Sequence, residues 1–138
     1  MSVEQNKAAI RRNWAEVANK GNLSIIPELV APNYILHSIP EVKGPEGFKQ
    51  NVITIRTALP DLHVTIDNIV AEGDMVAAFC TDQGTFKGKY GDIAPTGKKI
   101  KLATVTLSRF KDGKEVEAWQ YGDMLAFYRQ AGVPIPPA

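Results

Sequence analysis

The chain has 138 residues, 44% of them hydrophobic and 22% charged, and sixteen basic against fifteen acidic side chains leave a net charge of +1. That is enough chain for one domain, residues 1–138, with a real core, and it excludes a global field that would draw in nucleic acid or a charged membrane. The lone cysteine, Cys80, has no internal disulfide partner, and no stretch approaches the roughly 18 apolar residues of a membrane span. Residues 1–7 are polar, without the apolar run of a secretory signal, so a cytoplasmic location is expected.

Ser2 and Gln5 make a capping box, and Ile10, Trp14, Val17 and Ala18 follow at helical spacing. This predicts a helix over 3–20, stopped at Gly21. A short helix over 23–30 and a strand at Tyr34–His37 come next. Gly44-Pro45-Glu46 opens a further helix, with Phe48, Val52, Ile55 and Leu59 on one stripe and Pro60 closing it.

After residue 60 the period changes to two. Leu62, Val64 and Ile66 alternate with polar residues, and Glu72-Gly73-Asp74 turns the chain into a strand over 75–85. A Gly- and Pro-containing loop over 87–98 leads to a strand over 100–110. Asp112-Gly113 is a hairpin signal, followed by a strand over 115–123 and a helix over 123–131 that ends at Gly132. Helices first, then long strands of a curved, mostly antiparallel sheet, describe an α+β fold with a cavity between the two.

A two- or four-residue loop at Asp112-Gly113 pairs Thr106 with Trp119 and Thr104 with Tyr121. One sheet face then carries Thr104, Thr106, Ser108, Glu117, Trp119, Tyr121 and Asp123. The other carries Ala103, Val105, Leu107, Val116 and Ala118. Neither face is plainly hydrophilic, so one is read as a pocket wall and the other as covered, with a homodimer through the sheet favoured.

Several residues carry candidate chemistry. His37, at the end of the first strand, is either a proton shuttle or a hydrogen-bonded strand end. Trp14 and Trp119 either stack on a flat ligand or pack in the core. Tyr34 and Tyr121 are candidate donors to a developing enolate oxygen. Gln83 and Thr85 share one strand parity, read as pocket-facing. His63 has the opposite parity to Leu62 and Val64 and is read as facing away. Asp123 precedes Met124-Leu125-Ala126-Phe127 and reads, on position alone, as a helix N-cap. Cys80 reads as a small buried hydrophobe. No phosphate loop, dinucleotide fingerprint or metal-ligand spacing is present, and the lysines at 87, 89, 98, 99 and 101 read as a solvated face.

An ordered set of segments then resembles the SnoaL-like polyketide cyclases. They are Ala58-Leu59-Pro60-Asp61-Leu62-His63-Val64, Gly84-Thr85 with Gly88, Pro95-Thr96-Gly97-Lys98, Arg109-Phe110-Lys111-Asp112-Gly113-Lys114, and Glu117 through Trp119 to Asp123 followed by Arg129-Gln130-Ala131-Gly132. The resemblance implies a nuclear transport factor 2-like (cystatin-like) fold, a cone-shaped α+β barrel. It implies a cofactor-free, metal-free cyclase, an isomerase or lyase, acting on a small hydrophobic or polycyclic carbonyl compound by intramolecular aldol chemistry. It also implies that Asp123, deep in the pocket, is the general acid/base; His37, from its position, is the second candidate catalytic residue. Trp14, Tyr34, Gln83, Thr104, Thr106, Trp119 and Tyr121 are the expected substrate-binding residues. Phe86 and Ala118 stand where many relatives carry histidine. A cofactor-free epoxide hydrolase and a non-catalytic binder of hydrophobic ligands remain as alternatives on the same fold.

Overall fold

A computed structural model describes residues 2–137; Met1 and Ala138 lie outside the described residues. The capping box forms: the Gln5 N–H donates to Ser2 Oγ at 3.1 Å, and the Ser2 N–H donates to Gln5 Oε1 at 2.8 Å. Helix α1 runs Val3–Arg12 and continues over Asn13–Asn19 as a π-helix. A 3₁₀ turn at Leu23–Ile25 leads into a short α2, Ile26–Leu29. Strand β1, Val30–Leu36, is longer than expected and starts where the second helix was predicted to end. A two-residue strand β2, Val42–Lys43, precedes α3, Gly44–Ala58. Then come β3 (His63–Glu72), β4 (Met75–Thr85), β5 (Lys99–Lys111), β6 (Lys114–Gly122) and α4 (Met124–Ala131).

The six strands form one sheet in the order β2-β1-β6-β5-β4-β3. Only the β1–β6 pair is parallel. Helix α1 packs against β3 and β4, α3 against β1, and α4 against β5. The fold is therefore α+β, as the order of elements predicted, with helices packed on a six-stranded sheet as the resemblance implied. None of the described helices is long and apolar enough to cross a membrane.

The quoted segments touch one another. Asp61 accepts hydrogen bonds from the Thr85 N–H at 2.7 Å and the Thr85 hydroxyl at 2.8 Å, which ties the end of α3 to the end of β4. A side chain at Gly88 would collide with the Thr57 carbonyl, so only glycine lets that loop pass under α3. At the other end, the Asn19 amide donates to the Val64 carbonyl at 3.0 Å and accepts from the Val64 N–H at 2.6 Å. It thus supplies the π-helix with a strand-like partner on the edge of β3. Replacing Asn19 with alanine strands both backbone groups and is expected to cost about 2 kcal/mol, read as a lower urea midpoint with an unchanged slope.

One register differs from expectation, and it decides where the aromatic residues go. Asp112 (φ 52°) and Gly113 (φ 81°) form a two-residue turn, and Lys111 faces Lys114 across it. That register would pair Thr106 with Trp119. A β-bulge intervenes: Phe110 faces Glu115, while Arg109 faces Glu117, so Val116 is the extra residue. Beyond the bulge Thr106 faces Gln120, Leu107 faces Trp119 and Val105 faces Tyr121. A one-residue slip moves a strand's whole side-chain set to the opposite face. Glu117, Trp119 and Tyr121 consequently lie on the outer face, and Glu115, Ala118, Gln120 and Gly122 on the inner one. The inner residues of β5 are Leu102, Thr104, Thr106 and Ser108, as the sequence alternation suggested.

Candidate active site

Between the helices and the inner face lies a cavity in two parts. A deep chamber of about 90 Å³ is lined by Asn13, Trp14 and Val17 from the π-helix, Tyr34 and Leu36 from β1, Phe48 and Val52 from α3, and Thr106 and Glu115 from the sheet. A wider chamber of about 340 Å³ is lined by Leu59, Leu62, Tyr90, Leu102, Thr104, Gly122, Met124 and Phe127. Ile55, Asp82 and Gln120 border both, so the two chambers meet at these side chains. Most of the wall is apolar with a few convergent polar groups, the usual composition of a small-molecule site.

The π-helix shapes the closed end. Its wider turn places Asn13 and Val17 fully inside and turns Trp14 and Ala18 toward the cavity. The Arg56 guanidinium donates to the Ala18 carbonyl at 2.6 Å and the Asn19 carbonyl at 3.1 Å, fixing this wall to α3. Tyr34 is buried, with its ring edge-on to Phe48 at 5.5 Å. Burial, and then the nearby Glu115 carboxyl, push its phenol well above the ordinary tyrosine range.

Two carboxyls face this interior. Asp82 follows the inward parity of Val76, Ala78 and Cys80 along β4 and accepts from the Thr104 hydroxyl at 3.1 Å. Burial raises it above the ordinary aspartate value, and the Thr104 hydrogen bond only partly opposes that. Glu115 is 2% exposed and accepts from the Asn13 amide at 3.1 Å. The Ser108 hydroxyl stands beside it without a well-formed hydrogen bond. Burial pushes Glu115 up to about 7, with Ser108 and Asn13 offsetting only part. Both are groups of the kind that cluster at functional sites: carboxyls shifted by desolvation, in a cleft. Among the described residues, no lysine, arginine or histidine lines either chamber, and no three metal-ligating side chains gather anywhere.

The residues singled out from sequence divide sharply. Trp14, Tyr34, Thr104 and Thr106 line the cavity. Trp119 and Tyr121 do not, because the Val116 bulge turns them outward, leaving Tyr121 66% exposed. His37 is also outside. Its ring stacks on Trp119 at 5.1 Å, its Nε2 lies 2.7 Å from Glu117 Oε2, and its Nδ1 lies 3.3 Å from Glu41. The Glu117 hydrogen bond raises the His37 pKa and in turn lowers that of Glu117, which also accepts from Arg109 Nε at 3.1 Å. Gln83 is exposed in a separate surface depression with His63, Lys99 and Lys101, since its neighbour Asp82 takes the inward position.

Asp123 is placed at the rim rather than deep in the pocket. Its carboxylate is exposed and accepts from the Ala126 N–H at 3.0 Å, capping α4, while its neighbours Gly122 and Met124 border the mouth. Phe86 is fully buried in the core against Phe127, with ring centroids 5.6 Å apart, and Ala118 is fully buried on the inner face. Cys80 is a buried thiol, pushed up to about 11 by that burial.

Comparison with known proteins agrees with this geometry. The SnoaL-like polyketide cyclase family model matches residues 8–131. The aklanonic acid methyl ester cyclase of Streptomyces peucetius is 28% identical over 130 residues, 91% of this chain and 90% of its own. The crystal structure of a candidate SnoaL-like polyketide cyclase from Jannaschia sp. CCS1 superposes with a TM-score of 0.87 at 26% identity, covering 96% of this chain and 94% of the other. AclR, a candidate hydroxylase from Streptomyces galilaeus, superposes with a TM-score of 0.84 at 30% identity, covering 99% and 91%. With the family model spanning both walls of the cavity, the chain belongs to the SnoaL-like polyketide cyclase family.

Proposed function

We propose that the protein is a cyclase or isomerase of a small, largely apolar carbonyl compound, working by acid/base catalysis without a cofactor, and that Asp82 is its general base. The observation that carries this reading is the position of Asp82, a desolvated carboxyl at the junction of two otherwise apolar chambers. Ring closure by aldol addition removes a proton from the carbon next to a carbonyl. The carboxylate takes that proton, the enolate carbon bonds to a second carbonyl carbon of the same molecule, and the proton returns to the new alkoxide. A base near the reacting carbon and a donor near the oxygen suffice. The family resemblance points instead to Asp123, whose exposed carboxylate borders the mouth. The epoxide-hydrolase reading wants a cation beside its carboxylates, and neither chamber offers one among the described residues.

Deuterium incorporation beside the carbonyl of 1-tetralone, followed by proton NMR in D₂O, tests the chemistry without the natural substrate. Wild type should exchange faster than buffer, Asp82→Asn should fall to the buffer rate, and Asp123→Asn should stay near wild type. Loss in Asp123→Asn alone would move the proton transfer to the mouth. No exchange by wild type would contradict the enzymatic reading and leave a binding protein.

The outer face supports a homodimer. Ala77, Leu107 and Trp119 form one cross-strand row, and Phe79, Val105 and Tyr121 form the next. Phe79 is 46% exposed and Val70 57%, a contiguous apolar surface of the kind that marks an interface. Phe79→Lys should convert a sedimenting dimer to a folded monomer; a wild-type protein that sediments as a monomer would contradict this.

A further inference from the structure

We propose that the closed end of the cavity is a subsite for a carbonyl or ester oxygen of an uncharged ligand, built from the Tyr34 hydroxyl and the Glu115 carboxyl. The inference rests on the reading above, that the cavity takes a carbonyl compound, and specifies which end of the ligand enters first and what charge it carries.

Three observations carry it. Tyr34 is 3% exposed and lines the deep chamber, where the Glu115 carboxyl lies near its phenol. A buried phenol that borders a cavity offers its O–H to what enters, so a ligand oxygen is the natural complement. Glu115 lines the same chamber, with Asn13 as its one well-formed hydrogen-bond donor and no cation beside it. A carboxyl in such a place is most stable as the neutral acid, and a neutral acid has an O–H to donate. Asn13 accounts for Glu115 Oε2, and Asn13 is itself held by the π-helix.

The cavity's charge pattern sets the ligand class. Its ionisable lining groups include the two carboxyls, Asp82 and Glu115, and the Tyr34 phenol, with no basic side chain among the described residues. Lys114, next to Glu115 in sequence, points away to the Pro27 carbonyl at 2.9 Å. Arg109 and His37 are spent on Glu117 outside the sheet. A ligand carboxylate would therefore meet the Asp82 carboxylate in a site that water does not screen, whereas its ester would not be repelled.

Methyl 2-naphthoate and 2-naphthoate are a matched pair of probes for this, measured by titration calorimetry at about pH 6 and about pH 8.5, either side of the Glu115 titration. The ester should bind at least ~10-fold more tightly than the naphthoate anion, whose carboxylate loses its solvation in the site. Ester binding should weaken ~10-fold at the higher pH as Glu115 loses its donor. Glu115→Gln keeps a donor at every pH, so its ester affinity should not vary with pH. Tyr34→Phe should weaken the ester ~10-fold at both values. Equal binding of ester and carboxylate, pH-independent ester binding by wild type, or no binding of either probe would each overturn the subsite. These readouts require no turnover. If 1-tetralone exchange fails while the ester-over-acid preference and its pH dependence hold, the subsite stands and the catalytic reading falls.

Discussion

Asp82→Asn should abolish proton transfer with little effect on folding, an expected loss of about 10²–10⁴-fold in the exchange rate. Asparagine matches aspartate in shape, and its carbonyl oxygen still accepts from the Thr104 hydroxyl, so the β4–β5 contact survives. What disappears is the carboxylate that borders both chambers. Because Asp82 pays a desolvation cost when ionised, removing its charge should leave the thermal midpoint unchanged or slightly raised. That combination separates a catalytic loss from a structural one. Asp123→Asn serves as the control: asparagine is as good an N-cap as aspartate, so α4 keeps its Ala126 cap while the exposed charge at the mouth is lost. Measured exchange at the wild-type rate in Asp82→Asn would remove Asp82 from the mechanism.

Glu115→Gln should make the protein more stable at alkaline pH, and the gain should depend on pH. A carboxyl whose folded value lies above its unfolded one takes up protons on folding. With Glu115 moved from the ordinary 4.5 to about 7, wild-type stability is full below the lower value, declines as pH rises between the two, and levels off above the upper one. The decline is on the order of 3 kcal/mol if the shift is fully expressed. Glutamine carries no such titration and can still accept from Asn13, so the difference between variant and wild type should open across that window. Urea denaturation of both proteins at a series of pH values reads it directly. A constant difference across the series would mean that Glu115 is ionised and satisfied in the folded protein.

The fold could be read from the sequence because its signals are local. The Ser2–Gln5 box, Pro60, Asp112-Gly113 and Gly132 each mark an element end through the backbone geometry or donor pattern they impose, and the structure uses all of them. The inner face of β5 was legible for the same reason, since Thr104, Thr106 and Ser108 keep a strict alternation. The face of β6 was not. A bulge at Val116 leaves no mark in composition, and one inserted residue carried Glu117, Trp119 and Tyr121 from the expected pocket wall to the outside, while Glu115, on the turn side of the bulge, keeps its inward place opposite Phe110. Glu115 carried a signal in its parity, which is that of Glu117 on the expected pocket face, but the alternation there was read only from Glu117 onward. Asp82 did have one: it continues the row Val76, Ala78, Cys80, and an acid in an apolar inward row is unusual enough to notice. Attention to Gln83 and Thr85, one residue out of phase, hid it. Asp123 was read correctly as an N-cap from its position; the deep placement came from resemblance alone, and the structure puts its carboxylate at the rim.

The claim beneath both variants is that two carboxyls are held in an interior with no compensating cation among the described residues. Carbon-13 NMR titration of the labelled side-chain carboxyls, assigned by the resonances missing from Asp82→Asn and Glu115→Gln, measures this directly. Glu115 should titrate near 7 and Asp82 above the ordinary aspartate value of 3.8. Ordinary values for both would show a cavity open to water, and with it neither the base nor the neutral donor proposed for the site.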